Sequence, residues 1–218
     1  MANHTANQKR ILDEAVAVHP RLAACRTQIE QAAELICESY RTGGKLLTCG
    51  NGGSAADAEH IVTELMKGFR LKRPLPASAR SALTTANAEL GPLLADRLQG
   101  ALPAIALTNH PALHTAFSND VDPYLVFAQQ VYGYGRTGDV LLALSTSGNS
   151  RNLLYAAATA RAIGVSTIAM TGSGGGKLAP LCDIAIRVPE TDTPLIQELH
   201  LPIYHAICTI LEEELFAS

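Results

Sequence analysis

The feature that most limits the fold is an alternation of short apolar runs with longer amphipathic stretches. Lys45–Cys49, Pro103–Leu107, Asp139–Leu144, Ser166–Met170 and Ile184–Val188 each have a strand's length, and several end in Gly, Ser or Thr. Around them lie Asn7–Val18, Leu22–Arg41, Ser54–Gly68, part of Ser81–Leu98, Pro123–Tyr132, Asn149–Ile163 and Pro194–Phe216, which read as helices. Strands that alternate with helices predict right-handed β-α-β crossovers and a mainly parallel sheet covered on both faces. No composition shift marks a linker, so one α/β domain is expected over residues 1–218. Its parts are an N-terminal helical segment at about 6–42, a sheet core at about 45–190 and a C-terminal helix at about 194–216. Arg70–Gly100 has no place in the alternation and is expected to wrap the edge of the sheet.

Composition removes several classes of function. Charged residues make up 17% and hydrophobic residues 47%, which excludes a disordered polyelectrolyte. With 17 basic against 20 acidic side chains and a net charge of −3, there is no electrostatic footprint for nucleic acid or anionic membrane. No apolar run approaches the ~20 residues of a spanning helix, and Met1–Arg10 lacks the apolar core of a signal peptide. The five cysteines are scattered and form no CxxC pair, against a disulfide framework or thiolate zinc site. The expectation is a soluble, cytoplasmic protein.

Two strand-to-helix loops are chemically loaded. After the first strand comes Gly50-Asn51-Gly52-Gly53-Ser54; after the third comes Ser145-Thr146-Ser147-Gly148-Asn149-Ser150. Glycines let backbone approach a ligand, hydroxyls and helix N-terminal N–H groups favour an anion, and open parallel sheets bind ligands at this end of their strands. Either loop alone also reads as a turn with N-capping residues. Two together favour a small anionic ligand such as a phosphate, and neither is a nucleotide fingerprint.

His60 and Glu64 are four apart in the helix after the first loop and share a face. Gln197 and His205, eight apart in the last helix, also share one, with His200 on a neighbouring stripe. Two His, one Glu and an amide oxygen suit a divalent metal such as zinc; the same groups also suit proton transfer. Each alone reads equally as surface or core. Asn119-Asp120 offers contacts to polyol hydroxyls or a plain turn. Lys67, Arg70, Lys72 and Arg73 read as a solvated basic face, and Lys177 as a loop-to-helix cap or a phosphate partner.

The motif Cys49-Gly50-Asn51-Gly52-Gly53-Ser54-Ala55-Ala56-Asp57-Ala58-Glu59-His60, with Glu64, resembles the signature of bacterial phosphoheptose (sedoheptulose-7-phosphate) isomerases of the sugar isomerase (SIS) domain superfamily. So do Leu144–Ser150 and Ile196–His200, and the likeness runs over about 25–216. It implies a flavodoxin-like five-stranded parallel sheet flanked by helices, a homotetramer with sites between subunits, and interconversion of D-sedoheptulose 7-phosphate and D-glycero-D-manno-heptose 7-phosphate. It places substrate binding on Asn51, Gly52, Gly53, Ser54, Glu64, Asn119, Asp120, Ser145, Thr146, Ser147, Ser150 and Gln197. Glu64 and His205 fall on its catalytic positions, and His60, Glu64, Gln197 and His205 on those of one zinc ion per subunit. Two departures stand out: Lys67-Gly68-Phe69 replaces the Gly-Arg-Phe that often follows the glutamate, and Arg70–Gly100 is longer than in enterobacterial members. The competing expectation is a non-catalytic regulator resembling the DnaA initiator-associating protein.

Overall fold

The computed structural model describes residues 2–217, apart from the side chains of 2–6. Five strands, β1 (Leu46–Gly50), β2 (Ala104–Ala106), β3 (Val140–Leu144), β4 (Ser166–Thr171) and β5 (Ile184–Arg187), form one sheet in the order β2-β1-β3-β4-β5, and every pairing is parallel. Each lies within two residues of its expected bounds. Short runs of Leu, Ile, Val and Ala suit strands buried on both faces, and β1 and β3 are buried throughout.

Successive side chains feed two cores. Leu46, Val140, Leu142, Ile168 and Ile186 join helices α1 (Ala2–Val18), α2 (Arg26–Arg41), α3 (Gly53–Met66) and α9 (Thr193–Phe216) on one face. Leu47, Cys49, Leu141 and Ala169 join α7 (Val126–Tyr134) and α8 (Arg151–Ala162) on the other. No helix among the described residues is long and apolar enough to cross a membrane.

Two local readings change. The helix expected over Leu22–Arg41 is a 3-10 turn, Pro20–Cys25, followed by α2, because Cys25 leaves helical geometry at φ −123°, ψ 15°. Arg70–Gly100 does not wrap the sheet edge, and the helix expected in part of Ser81–Leu98 is two helices. The segment contains α4 (Ala77–Ala86) and α5 (Gly91–Arg97), a hairpin closed at its base by an antiparallel bridge between Pro74 and Gln99. The hairpin packs chiefly on itself: α4 buries no residue, and Leu90 and Leu93 are 55% and 59% exposed.

The chain steps from β1 outward to β2 and then crosses back to β3. That reversal opens a crevice at the carboxyl ends of β1 and β3, the usual ligand position in such sheets. The register pairs Gly50 with Leu144, so the two loaded loops leave the sheet side by side.

Candidate active site

Both loops lead into helices whose N-cap side chains make no capping hydrogen bond. Gly52, with φ +56°, precedes α3, and Ser150 precedes α8. Helix N-termini left without such caps direct N–H groups and positive dipole ends into the crevice. Within the second loop the Ser145 Oγ accepts the Gly148 N–H at 3.1 Å and lies 3.2 Å from the Ser150 Oγ, while the Ser147 Oγ accepts from the Asn149 N–H at 3.2 Å. Ser145 is buried and shapes the loop; Ser147 is exposed, with Thr146 and Ser150 between these extremes.

The glycine-rich stretch Gly172–Gly176 supports this cradle from below. The Gly148 carbonyl accepts the Leu178 N–H at 2.9 Å, and the Asn149 side chain accepts the Lys177 N–H at 3.1 Å. Gly148 has φ +65°, and a Cβ there would collide with the Gly175 carbonyl. Lys177 thus meets the loop through its backbone.

Asn51, across the crevice, forms a reciprocal amide pair with Asn152: each side-chain NH₂ donates to the other's oxygen, at 3.0 and 2.8 Å. No sequence motif singles out Asn152; its one signal is an amide in the first turn of α8. Gln197 lies over Gly53, where a Cβ would come within 2.5 Å of its Nε2. Ser54 is buried behind the first loop. Asn119 and Asp120 end α6 (Pro111–Asp120), exposed and bonded to each other at 2.9 Å, with no hydrogen bond to either loop among the described residues.

The second cluster lies farther along α3 and α9. His60 Nε2 stands 3.1 Å from Glu64 Oε1, and its Nδ1 stands 3.0 Å from the Tyr204 hydroxyl, which reaches Asp57 at 3.3 Å. Lys67 donates to the other Glu64 oxygen at 3.1 Å. The His205 ring stands edge-on to His60, with centroids 5.1 Å apart, and tilts against Phe69 at 5.5 Å. Its Nε2 is buried with no hydrogen-bond partner among the described residues.

Burial, followed by the neighbouring His60, lowers the His205 pKa, while Glu64 opposes that shift. The imidazole is therefore neutral near pH 7 and able to accept or return a proton. Burial also raises the Asp57 carboxyl, against the Tyr204 hydrogen bond and His60.

His200, three residues from Gln197, is fully buried and outside both clusters. The expected solvated basic face holds at the exposed Lys67, Arg70 and Lys72 and fails at Arg73. Lys67 is tied to Glu64, and Arg73 is fully buried against Glu212, a partner 139 residues away that local pattern cannot reveal.

The zinc donor set is spread out. No three His, Cys, Asp or Glu side chains converge as a metal site among the described residues. Gln197 and His205 are separated by about 12 Å of helix, and Glu64 already divides its oxygens between His60 and Lys67. As folded, Glu64 would have to release these partners to join a four-coordinate ion.

The chain matches the SIS domain family over residues 10–93 and 84–172. It is 44% identical over 195 residues to a phosphoheptose isomerase from Rhodospirillum rubrum, covering 89% of this chain and 90% of that protein. A phosphoheptose isomerase from Clostridium acetobutylicum is 40% identical over 191 residues, covering 88% and 84%. Among solved structures, the phosphoheptose isomerase of Francisella tularensis superposes with a TM-score of 0.74 at 31% identity over 98% of this chain and 99% of that one. That of Neisseria gonorrhoeae gives 0.69 at 35% over 96% of each. With the sheet order and both strand-end loops in place, the chain belongs to the phosphoheptose isomerase family of SIS-domain proteins.

Proposed function

We propose that this chain is an aldose–ketose isomerase that interconverts D-sedoheptulose 7-phosphate and D-glycero-D-manno-heptose 7-phosphate, the first step toward nucleotide-activated heptose. The observation that carries the reading is the coexistence of a neutral anion cradle at the switch point with a carboxylate–imidazole cluster on the helices that start there. The phosphate is assigned to Ser145, Thr146, Ser147, Ser150 and the N-terminus of α8. Hydroxyls of the carbon chain are assigned to Asn51, Gly52, Gly53, Ser54, Asn119, Asp120 and Gln197.

Ketose-to-aldose conversion removes a proton from C1, protonates the C2 oxygen, and returns a proton to C2 as the C1 hydroxyl becomes an aldehyde. Glu64 takes the C1 proton and delivers it to C2. His205, neutral and with Nε2 unpartnered among the described residues, carries the hydroxyl proton from O1 to O2. Lys67, donating to the other Glu64 oxygen, fixes the orientation of that carboxylate.

A homotetramer with sites shared between copies, in the cytoplasm, completes the proposal. Zinc stands outside this scheme, and no step is routed through it. Its content in the purified protein, with and without His60→Ala, tests the donor set that the resemblance implies.

The test of the chemistry is exchange at C1 of sedoheptulose 7-phosphate in D₂O, followed by NMR. Wild-type protein is expected to exchange, and Glu64→Gln, which keeps shape without basicity, to lose about 10²–10⁴ in rate. Equal exchange in both proteins would remove Glu64 as the base.

A further inference from the structure

Beyond the groups assigned to substrate lies a fully buried ion pair. Glu212, in the last turns of α9, accepts the N–H groups of Phe69 at 2.8 Å, Arg70 at 2.7 Å and Leu71 at 2.9 Å, and the Arg73 Nε–H at 2.7 Å. The other arms of Arg73 donate to the carbonyls of Leu65 at 2.7 Å and Glu64 at 3.1 Å, and its guanidinium lies 4.7 Å from the Phe216 ring centroid. Both side chains are wholly excluded from solvent.

Stability alone is a poor reason for such a pair. Desolvating two charges is costly, and apolar residues of the same volume commonly stabilise as well or better. What the pair uniquely supplies is connection. One guanidinium closes the carbonyl end of α3 at the turn that carries Glu64, and one carboxylate gathers three successive N–H groups of the segment after it. That segment bears Phe69, whose ring rests on His205, and follows directly from Lys67, which holds Glu64.

We infer that the Arg73–Glu212 pair is a positioning device, locking the Glu64 turn and the Phe69 segment onto α9 so that the Glu64 carboxylate and the His205 imidazole keep one mutual geometry. The role rests on the isomerase reading for its catalytic consequence and on the fold alone for its geometric one, so the two can be tested apart.

Arg73→Lys keeps the charge opposite Glu212 but loses the planar fork that reaches both carbonyls. The folded variant is expected to lose at least tenfold in kcat with KM for sedoheptulose 7-phosphate within twofold. Its His205 ring proton signals, assigned by comparison with His205→Gln, should lose the shift imposed by the Phe69 ring even without substrate. A merely structural role would lower the melting temperature and leave kcat per folded molecule and the His205 signals in place.

Should Arg73→Lys not fold, Glu212→Gln carries the same readouts, since it keeps the shape but turns an NH₂ toward N–H groups from which a carboxylate oxygen accepts in the wild type. Unmoved His205 signals in the folded variant overturn the positioning role whatever the activity. Wild-type protein that leaves C1 unexchanged overturns the isomerase reading, while the His205 signals still decide the pair.

Discussion

The crevice at the ends of β1 and β3 and the cluster between α3 and α9 hold their functional groups by opposite means. The crevice is lined by backbone and by hydroxyl and amide side chains, and no charged side chain enters the hydrogen bonds of its serine loop among the described residues. The cluster is a mesh of His60, Glu64, Lys67, Tyr204, His205 and Asp57, backed by a buried ion pair. A phosphate already carries its charge, so fixed dipoles suffice to hold it. Proton transfer needs groups that change charge, and these must be partly buried and packed to keep their geometry.

The comparison breaks most visibly if the two regions are separated onto different chains. Co-expressing a crevice-defective variant, Ser147→Ala combined with Ser150→Ala, with the cluster-defective Glu64→Gln should restore up to about a quarter of wild-type turnover if sites are shared between copies, because random mixing reunites intact halves. Assayed with substrate well below the wild-type KM, each variant alone should remain nearly inactive. A mixture no better than its parents would place crevice and cluster of one site in the same chain.

Next in size are substitutions within the crevice that separate shape from contact. Gly148→Ala imposes about 1–2 kcal/mol from the left-handed backbone alone, with a collision against the Gly175 carbonyl added. It should lower the melting temperature and raise KM together. Ser147→Ala removes an exposed hydroxyl; losing a charge-assisted bond of ~1.5–3 kcal/mol should raise KM about tenfold, with an unchanged melting temperature. A Ser147→Ala enzyme with unaltered KM would move the phosphate off this loop.

The smallest effect concerns His200, on α9 but outside the cluster. Burial lowers its pKa from 6.5 to about 4, the Thr171 carbonyl opposing slightly. Between those values the unfolded chain binds a proton that the native one refuses. Stability is therefore full above about pH 6.5 and falls toward pH 4, by roughly 3 kcal/mol from this residue. Urea midpoints at pH 7.5 and 5 should separate steeply for wild type and less for His200→Leu; equal separation would assign the acid limb to other groups.

Legibility follows the same division. The crevice was readable because its constraints are local: Gly50-Asn51-Gly52-Gly53 and Ser145–Ser150 carry their turn chemistry in adjacent residues, and β1 and β3 are bounded by it. His60 and Glu64 were also legible, since four-residue spacing on a helix makes them neighbours. Tyr204 touching His60 and Glu212 holding Arg73 were not, because each pairs residues more than 130 apart and needs α9 laid along α3. Arg73 misled for a specific reason. Three exposed basic neighbours made it look solvated, and only a remote carboxylate explains its burial.

The hairpin of α4 and α5 has a consequence for how this chain can vary. Its two ends meet at the Pro74–Gln99 bridge, and Gln99 also accepts the Gly68 N–H at 2.7 Å, so the catalytic segment is anchored to the hairpin's root and not to its tip. Loop-closure entropy changes only by about 0.6 kcal/mol for each doubling of length, and α4 contributes no buried residue to either core. The segment between the bridged residues is thus a modular graft point. It can be lengthened, shortened or exchanged for a tag or a foreign domain while the sheet and the chemistry behind it keep their shape.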